Sequence, residues 1–330
     1  MARSKHTATT IPRPRAAAEI GSAGEVLLAH LVGEAGAFID QLPRLDAHEE
    51  DAAHSARVAA RRMRSALGTC GPLLETESAQ ALRGRLRDAA NALAGERDGE
   101  VLMERLLADL DALPERPGSV RARTLVRRRL HADLGAGRDR AREALGTHVF
   151  TELCGRLVEP ALGLTFTERA AAPGAEVVPK LVARTVRRLD RAVANLPLTA
   201  AAVPYPADVE TFTPYAGTDD EHWHRVRILA KRARYAADMT VPAFGAPAAR
   251  LARRLKAVTE VLGVHQDATM AATLVADLAA RPRVGGPAAF VLGELYARQR
   301  LAATTQRHAL TRVWPKATGP DVRAWLDVDR

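Results

Sequence analysis

The segment HSARVAARRMRSA, residues 54–66, places one histidine and four arginines among small and apolar residues. On a helix that turns by about 100° per residue, His54, Arg57, Arg61 and Arg64 fall within roughly 80° of arc. The opposite face carries only small or apolar side chains, namely Ala56, Ala59, Ala60, Met63, Ala66 and Leu67. The segment therefore predicts an amphipathic helix with a core face and a line of cations, which we call the first stripe (His54, Arg57, Arg61 and Arg64).

A related segment, HRVRILAKRARYA, follows at residues 224–236, and six of its thirteen positions are identical at an offset of 170. Its cations form the second stripe (His224, Arg227, Lys231 and Arg234). Its predicted core face consists of Val226, Leu229, Ala230, Ala233 and Ala237. Each segment follows an acidic cluster, residues 49–51 and 219–221, which complements the dipole of a helix N-terminus and can cap its free N–H groups.

The repeat extends beyond the stripes. Residues 82–98 match residues 251–267 at an offset of 169, and IDQLP, ending at Pro43, resembles VANLP, ending at Pro197, at an offset of 154. Asp98 and Asp267 each precede a new apolar-periodic segment, which predicts that both are helix N-caps. The chain thus contains two related halves.

Composition favours an all-α fold, because the apolar content is mostly Ala and Leu while aromatic residues make up only 4%. We expect five helices in each half, joined by short connections that favour antiparallel bundles. The expected helices span residues 23–42, 51–70, 78–95, 98–112 and 118–146, then 177–196, 220–240, 247–263, 267–280 and 286–311.

The predicted domain organisation has three parts. Residues 1–21 form a disordered basic tail, residues 22–312 form the helical domain, and residues 313–330 are a C-terminal extension without an assigned role. The two halves span about 22–160 and 175–312, and the segment TERAAAPGAE (residues 167–176) joins them. The proline-rich segment at residues 198–218 is expected to be a loop.

The charge balance favours acidic partners, since the net charge is +9 and only five of the 48 basic residues are lysines. Arginine binds phosphate in a bidentate manner, although a GC-rich genome would also enrich arginine and alanine. Cys70 and Cys154 are far apart without metal-binding spacing. With no apolar run of about 18 residues and no signal peptide, we expect a cytoplasmic protein.

The stripes support two interpretations. A solvated helix face normally mixes charge signs, whereas these stripes contain no acid, and their like charges repel one another. A bound polyanion would offset that repulsion, and the arrangement occurs twice. An ordinary solvated face remains the alternative, and it is about as good an interpretation for the further arginine line formed by Arg184, Arg188 and Arg191.

The pattern H-x-x-R-V-x-x-R-R-x-R, with K-R-x-R in the second copy, resembles the CHAD domain (conserved histidine α-helical domain) over about residues 22–312. The resemblance implies two antiparallel helical bundles related by pseudo-two-fold symmetry, with basic residues of both halves facing a central groove or pore. It also implies binding of inorganic polyphosphate, and with it an association with polyphosphate granules. The implied polyphosphate-binding residues are His54, Arg57, Arg61, Arg62, Arg64, Arg85, His224, Arg227, Lys231, Arg232, Arg234, Arg254 and Lys256.

Two other functions compete with this interpretation. A non-specific nucleic-acid-binding protein fits the charge, but stacking aromatic residues are few and no recognised nucleic-acid-binding motif is present. A metal-dependent phosphohydrolase would need acidic metal ligands, and neither HEEDAAH (residues 48–54) nor His222 with His224 has a partner cluster. We therefore expect a binding protein without catalytic residues, metal or cofactor. The histidines predict tighter polyanion binding below pH 7.

Overall fold

The computed structural model describes residues 21–47, 49, 51–93, 96–145, 147–202 and 220–326. These residues form helices, turns and short connections, with two isolated β-bridges and no strand among them, so the all-α prediction is confirmed. The α-helices are α1 (Ala23–Ile39), α2 (Leu42–Asp46), α3 (Ala52–Thr69), α4 (Thr76–Ala92), α5 (Glu96–Asp111), α6 (Ser119–Leu145), α7 (His148–Val158), α8 (Gly174–Ala194), α9 (Leu198–Ala202), α10 (Asp220–Phe244), α11 (Ala246–Ala279), α12 (Gly286–Thr318) and α13 (Pro320–Arg323).

The first helix begins with a capping box. The Ser22 hydroxyl accepts a hydrogen bond from the Glu25 backbone N–H at 3.3 Å, and the Glu25 carboxylate accepts one from the Ser22 N–H at 2.8 Å. Together they satisfy two N–H groups that a helix start leaves without partners. From this start α1 buries Leu27, Leu31 and Phe38, which places α1 against the core of its unit.

The predicted N-cap at Asp267 is wrong. Residues 246–279 form one continuous helix, α11, and Asp267 lies in its interior. In the first half the chain does break between α4 and α5, but Asp98 lies within α5 rather than at its cap. Gly263 lies inside α11, and the helix continues through it because an isolated glycine costs only about 1 kcal/mol relative to alanine.

The described residues fall into two compact units, one within residues 1–94 and 139–178 and the other within 95–138 and 179–330. This division differs from the two halves of the sequence, because α5 and most of α6 belong to the second unit. There Leu106 and Val126 share one apolar cluster with Val275 and Leu292 of α11 and α12, which are the repeat counterparts of α5 and α6. Burial of these apolar faces against each other stabilises the unit. A groove or pore common to both halves stays a prediction.

The segment predicted to join the two halves is packed within the first unit. The Ala23 N–H donates to the Ala172 carbonyl at 2.9 Å, and the Thr167 N–H donates to the Leu73 carbonyl at 3.0 Å. Ala170 is buried in this segment. Residues 167–176 therefore act as an ordered part of the first unit as well as a connection.

The C-terminal extension continues the second unit. Helix α12 runs on to Thr318, and Arg323 of α13 donates two hydrogen bonds to the carboxylate of Asp190 on α8, at 2.8 and 3.0 Å. Trp325 packs against Phe244 at the end of α10, with ring centroids 5.4 Å apart. The predicted tail at residues 1–21 and the predicted loop at 198–218 lie outside the described residues, except for Gly21 and for α9 in the loop.

Candidate polyanion-binding site

The two stripe helices have the core faces that the sequence predicts. On α3, Ala56, Ala60 and Met63 are fully buried, and Ala59, Ala66 and Leu67 are at most 2% exposed. On α10, the core face buries Val226, Ala230, Ala233 and Ala237, whereas Leu229 is half-buried. Each core face fixes the rotation of its helix, and each cationic stripe consequently lies on the other side.

The residues of the first stripe differ in their access to solvent. His54 is exposed, and Arg61 and Arg64 are half-buried. Arg57 is only 3% exposed. A polymer approaching α3 in this conformation would therefore meet His54, Arg61 and Arg64 before Arg57.

Two further residues predicted to bind polyphosphate in the first half already pair with acids. Arg62 donates from Nη1 to Oε1 of Glu34 on α1 at 3.1 Å. Arg85 on α4 lies 3.4 Å from the carboxylate of Glu152 on α7. Both acids belong to other helices, so the helical spacing within one segment could not predict either ion pair.

The second stripe is hydrogen-bonded to α11. The Nδ1 atom of His224 donates to Oε1 of Gln266 at 2.6 Å, and Nη1 of Arg234 donates to the Thr259 hydroxyl at 3.4 Å. Arg227 and Lys231 are half-buried. The Nε atom of Arg227 is shielded from solvent and has no hydrogen-bond partner among the described residues.

The second stripe itself contains no acid, but an acid lies one turn beyond it. Asp238 lies one turn after Arg234 on α10, and its carboxylate is 3.4 Å from Nε of that arginine. Farther along the repeat, Arg254 and Lys256 are exposed on α11, and Lys256 pairs with Glu260 at 3.6 Å. These acids reduce the positive charge locally, at Arg234 and at Lys256.

A cavity of about 760 Å³ lies between α8 and α10 in the second unit. We call it the arginine groove, defined by the basic residues Arg188, Arg191, His222, His224, Arg225 and Arg232. The polar residues Asn195 and Glu221 and the apolar Ala192, Ile228 and Leu229 complete its lining. His224 belongs to both the second stripe and the groove.

Sequence reasoning did not single out Arg225 and found Arg188 and Arg191 only as a line on one helix. The available signal was helical spacing. Arg188 and Arg191 lie three residues apart on α8, Asn195 follows directly after the end of that helix, and Arg225 and Arg232 lie seven residues apart on α10. That spacing defines a face on each helix, but only the fold brings the two faces to one cavity.

A buried polar network fixes the start of α10. The Asp220 carboxylate pairs with Arg307 and, at 2.6 Å, with Arg300, both on α12. Nε of Arg307 donates to Nε2 of His265 at 3.1 Å, and Trp223 stacks on the His265 ring with centroids 5.4 Å apart. Burial, together with the charge of Arg307, lowers the pKa of His265 to about 4, so this histidine is neutral at pH 7 and accepts the hydrogen bond.

Other candidate chemistry is sparse in the described part of the chain. No three His, Cys, Asp or Glu side chains come together there as metal ligands would, and His48 and Glu50 of the HEEDAAH segment lie outside it. Neither Cys70 nor Cys154 forms a disulfide, and burial raises the pKa of Cys70 to about 12. None of the described helices has a stretch long and apolar enough to span a membrane.

Comparisons with known proteins show which family and which folds the chain is similar to. The family model of the CHAD domain matches residues 32–276. Two uncharacterized proteins of Mycobacterium tuberculosis are 31% and 30% identical over 277 residues, which cover 82% of this chain and 48% of each relative. The chain thus spans about half the length of the curated relatives that it matches.

Two solved structures are similar in fold. PptA from Streptomyces chartreusis superposes with a TM-score of 0.76 at 29% identity, covering 89% of this chain and 100% of PptA. The crystal structure of the CHAD domain from the plant Ricinus communis has a TM-score of 0.58 at 22% identity, covering 97% of this chain and 98% of that domain. The second likeness concerns the fold alone.

Proposed function

Because the chain belongs to the CHAD domain family, we propose that it binds inorganic polyphosphate through the basic side chains of its two stripe helices. The observation that carries the proposal is the paired arrangement: α3 and α10 each bury one face and direct a line of cations to the other side. Clustered like charges on a helix are unfavourable by themselves, and a bound polyanion offsets their repulsion.

The chemistry of binding follows from the side chains. A guanidinium group offers parallel N–H donors to two phosphate oxygens, and such charge-assisted bonds are stronger than neutral ones. A polyphosphate chain also releases condensed counterions when cations neutralise it, as nucleic acids do. Affinity should therefore fall steeply as salt concentration rises, and in a cell this binding would bring the protein to polyphosphate granules.

A competition titration tests the proposal. Labelled long-chain polyphosphate binds the protein at about 150 mM salt, close to physiological ionic strength, and single-stranded DNA of equal total charge competes. The test variant combines Arg61→Ala with Lys231→Ala, since both residues are half-buried and belong to different stripes. Arg57 is avoided because truncation of a side chain that is only 3% exposed would also disturb packing.

The expected result is polyphosphate binding that DNA displaces weakly and that the double variant weakens by at least about tenfold, as loss of two charge-assisted contacts implies. Equal competition by DNA would favour the alternative, a non-specific nucleic-acid-binding protein. Unchanged affinity in the double variant would contradict the assignment to the stripes. The proposal is for a binding protein, so no phosphate should be released from polyphosphate in the presence of Mg²⁺.

A further inference from the structure

The arginine groove differs sharply from the same positions in the first copy of the repeat. At the offset of 154, Arg188 and Arg191 of α8 align with Glu34 and Ala37 of α1. At the offset of 170, Arg225 and Arg232 of α10 align with Ser55 and Arg62 of α3. These four positions carry no net charge in the first copy and four positive charges in the second.

In the first copy, one ion pair occupies the aligned positions. Glu34 on α1 accepts a hydrogen bond from Arg62 on α3 at 3.1 Å, and its side chain is only 13% exposed. The second copy replaces this acid with Arg188. Helices α1 and α3 are thus the first-copy counterparts of α8 and α10, and this ion pair neutralises the charges at the aligned positions. The first copy can therefore serve as a reference for the second.

Three arginines of the arginine groove, Arg188, Arg191 and Arg225, are not neutralised in the same way. Among the described residues, no carboxylate lies within ion-pair distance of Arg188, Arg191 or Arg225. Among the described residues that line the groove, Glu221 is the one acid, and it is exposed. Arginines that converge on one cavity in excess of acids raise the local concentration of anions and offer several bidentate donors to one ligand.

From this contrast we infer that the arginine groove is an anion site in its own right, which takes a short chain of condensed phosphates. Its four arginines lie outside the stripes, and it shares only His224 with the second stripe. Its volume of about 760 Å³ suits a compact ligand, because small-molecule sites span roughly 300–1,000 Å³. The inference rests on the proposed function only for the ligand class. An inorganic oligophosphate and the phosphate tail of a nucleoside triphosphate share this chemistry.

The test replaces groove residues with their first-copy counterparts. Arg188→Glu installs the acid that pairs with Arg62 in the first copy, here opposite Arg232, and Arg225→Ser removes an exposed cation with little risk to folding. Arg281→Glu, at an exposed turn after α11, is the control that changes net charge as Arg188→Glu does. Calorimetric titrations with inorganic tripolyphosphate and with ATP identify the source of the phosphate chain.

We expect wild type and Arg281→Glu to bind tripolyphosphate alike. Arg188→Glu should bind it at least about tenfold more weakly, and Arg225→Ser should be intermediate, in line with the loss of charge-assisted hydrogen bonds. Equal affinities for ATP and tripolyphosphate would show that the groove recognises the phosphate chain alone. Tighter binding of ATP would show that it also recognises the nucleoside. Tripolyphosphate affinity unchanged in both groove variants would overturn the inference.

A second readout separates this inference from the proposed function. The double variant of Arg61 and Lys231 should keep its tripolyphosphate affinity while it loses affinity for long-chain polyphosphate. If long chains do not bind at all but tripolyphosphate binding still depends on Arg188, the proposed function fails and the groove stands. If the double variant loses tripolyphosphate as completely as Arg188→Glu does, the groove is not a separate site.

Discussion

Helices α3 and α10 share one sequence pattern but lie in different electrostatic surroundings. Both bury an alanine-rich face and carry a stripe of cations on the other side. Beside α3, the acid Glu34 neutralises Arg62, whereas beside α10 the residue at the aligned position is Arg188. The comparison teaches that two helices can share a sequence motif while the residues of neighbouring helices determine which additional surface remains cationic.

The two helices also differ in how their first turns are held. Asp51 precedes α3 with a left-handed backbone (φ 66°), and its side chain makes no capping hydrogen bond. Asp220 begins α10 and instead pairs with Arg300 and Arg307. The acidic clusters that look alike in sequence therefore have different structural roles.

The largest expected effect is on this anchor of α10. Asp220→Asn keeps the shape of the side chain but removes the charge that faces Arg300 and Arg307, which are 11% and 9% exposed. We expect the free energy of unfolding to fall by about 3–5 kcal/mol, because breaking a buried ion pair leaves buried charge without this compensation. Urea denaturation measures it, and a loss below about 1 kcal/mol would show that the pair is not an anchor.

The next effect concerns one histidine in each copy. Burial lowers the pKa of His265 to about 4, and burial together with the Arg62 charge does the same for His30 on α1. Because unfolding restores a value near 6.5, the unfolded chain takes up protons first as the pH falls. Stability should thus be constant above about pH 7 and decline toward pH 4.

For each histidine the decline should reach about 2 kcal/mol by pH 4.5. His265→Gln keeps a hydrogen-bond acceptor for Arg307 but does not titrate, so its profile should be flatter than that of the wild type by this amount. Denaturation at a series of pH values between 4.5 and 7.5 measures both curves. Parallel curves would rule out His265 as a source of acid sensitivity.

A smaller contrast lies in the connection that follows each stripe helix. A single residue, Gly245, joins α10 to α11 with φ 59° and ψ −132°, whereas α3 and α4 are joined by residues 70–75. A Cβ atom at Gly245 would meet nothing within 4 Å, so only backbone strain opposes Gly245→Ala. We expect a loss on the order of 1–3 kcal/mol. An unchanged melting temperature would contradict the assigned strain.

The smallest expected effect is that of the ion pair in the first copy. Glu34→Gln removes the charge that faces Arg62, whose side chain is 38% exposed, so stability should change by less than about 1 kcal/mol. The informative readout is binding, since the change makes the first copy more like the second. Tripolyphosphate titration of the variant should reveal weak additional binding. A titration without additional binding would indicate that cations such as Arg191 and Arg225, which the first copy lacks at the aligned positions, are also required.

The sequence predicted those features that depend on local periodicity. The buried faces of α3 and α10 follow from the helical spacing of residues such as Ala60 and Ala230, which are fully buried. The all-α class follows from Ala and Leu content, and the stripes follow from the same helical wheel. Each of these inferences needs only one helix at a time.

The features that the sequence did not predict depend on tertiary contacts. Periodicity does not reveal that Leu106 of α5 shares a core with Leu292 of α12, because any apolar face can pack against either neighbour. It does not reveal that Glu34 neutralises Arg62, or that Arg188 and Arg225 face one cavity. Periodicity also predicted a helix boundary between Gly263 and Asp267, whereas α11 is continuous through both residues.

The most direct test of the central claim is a crystal structure of the protein with a bound polyphosphate chain. The account predicts ordered phosphate oxygens within about 2.7–3.2 Å of basic nitrogen atoms on α3 and α10, with Arg61 and Lys231 among the donors. Ordered phosphates that lie away from both stripes, with the stripe side chains unchanged, would contradict the claim.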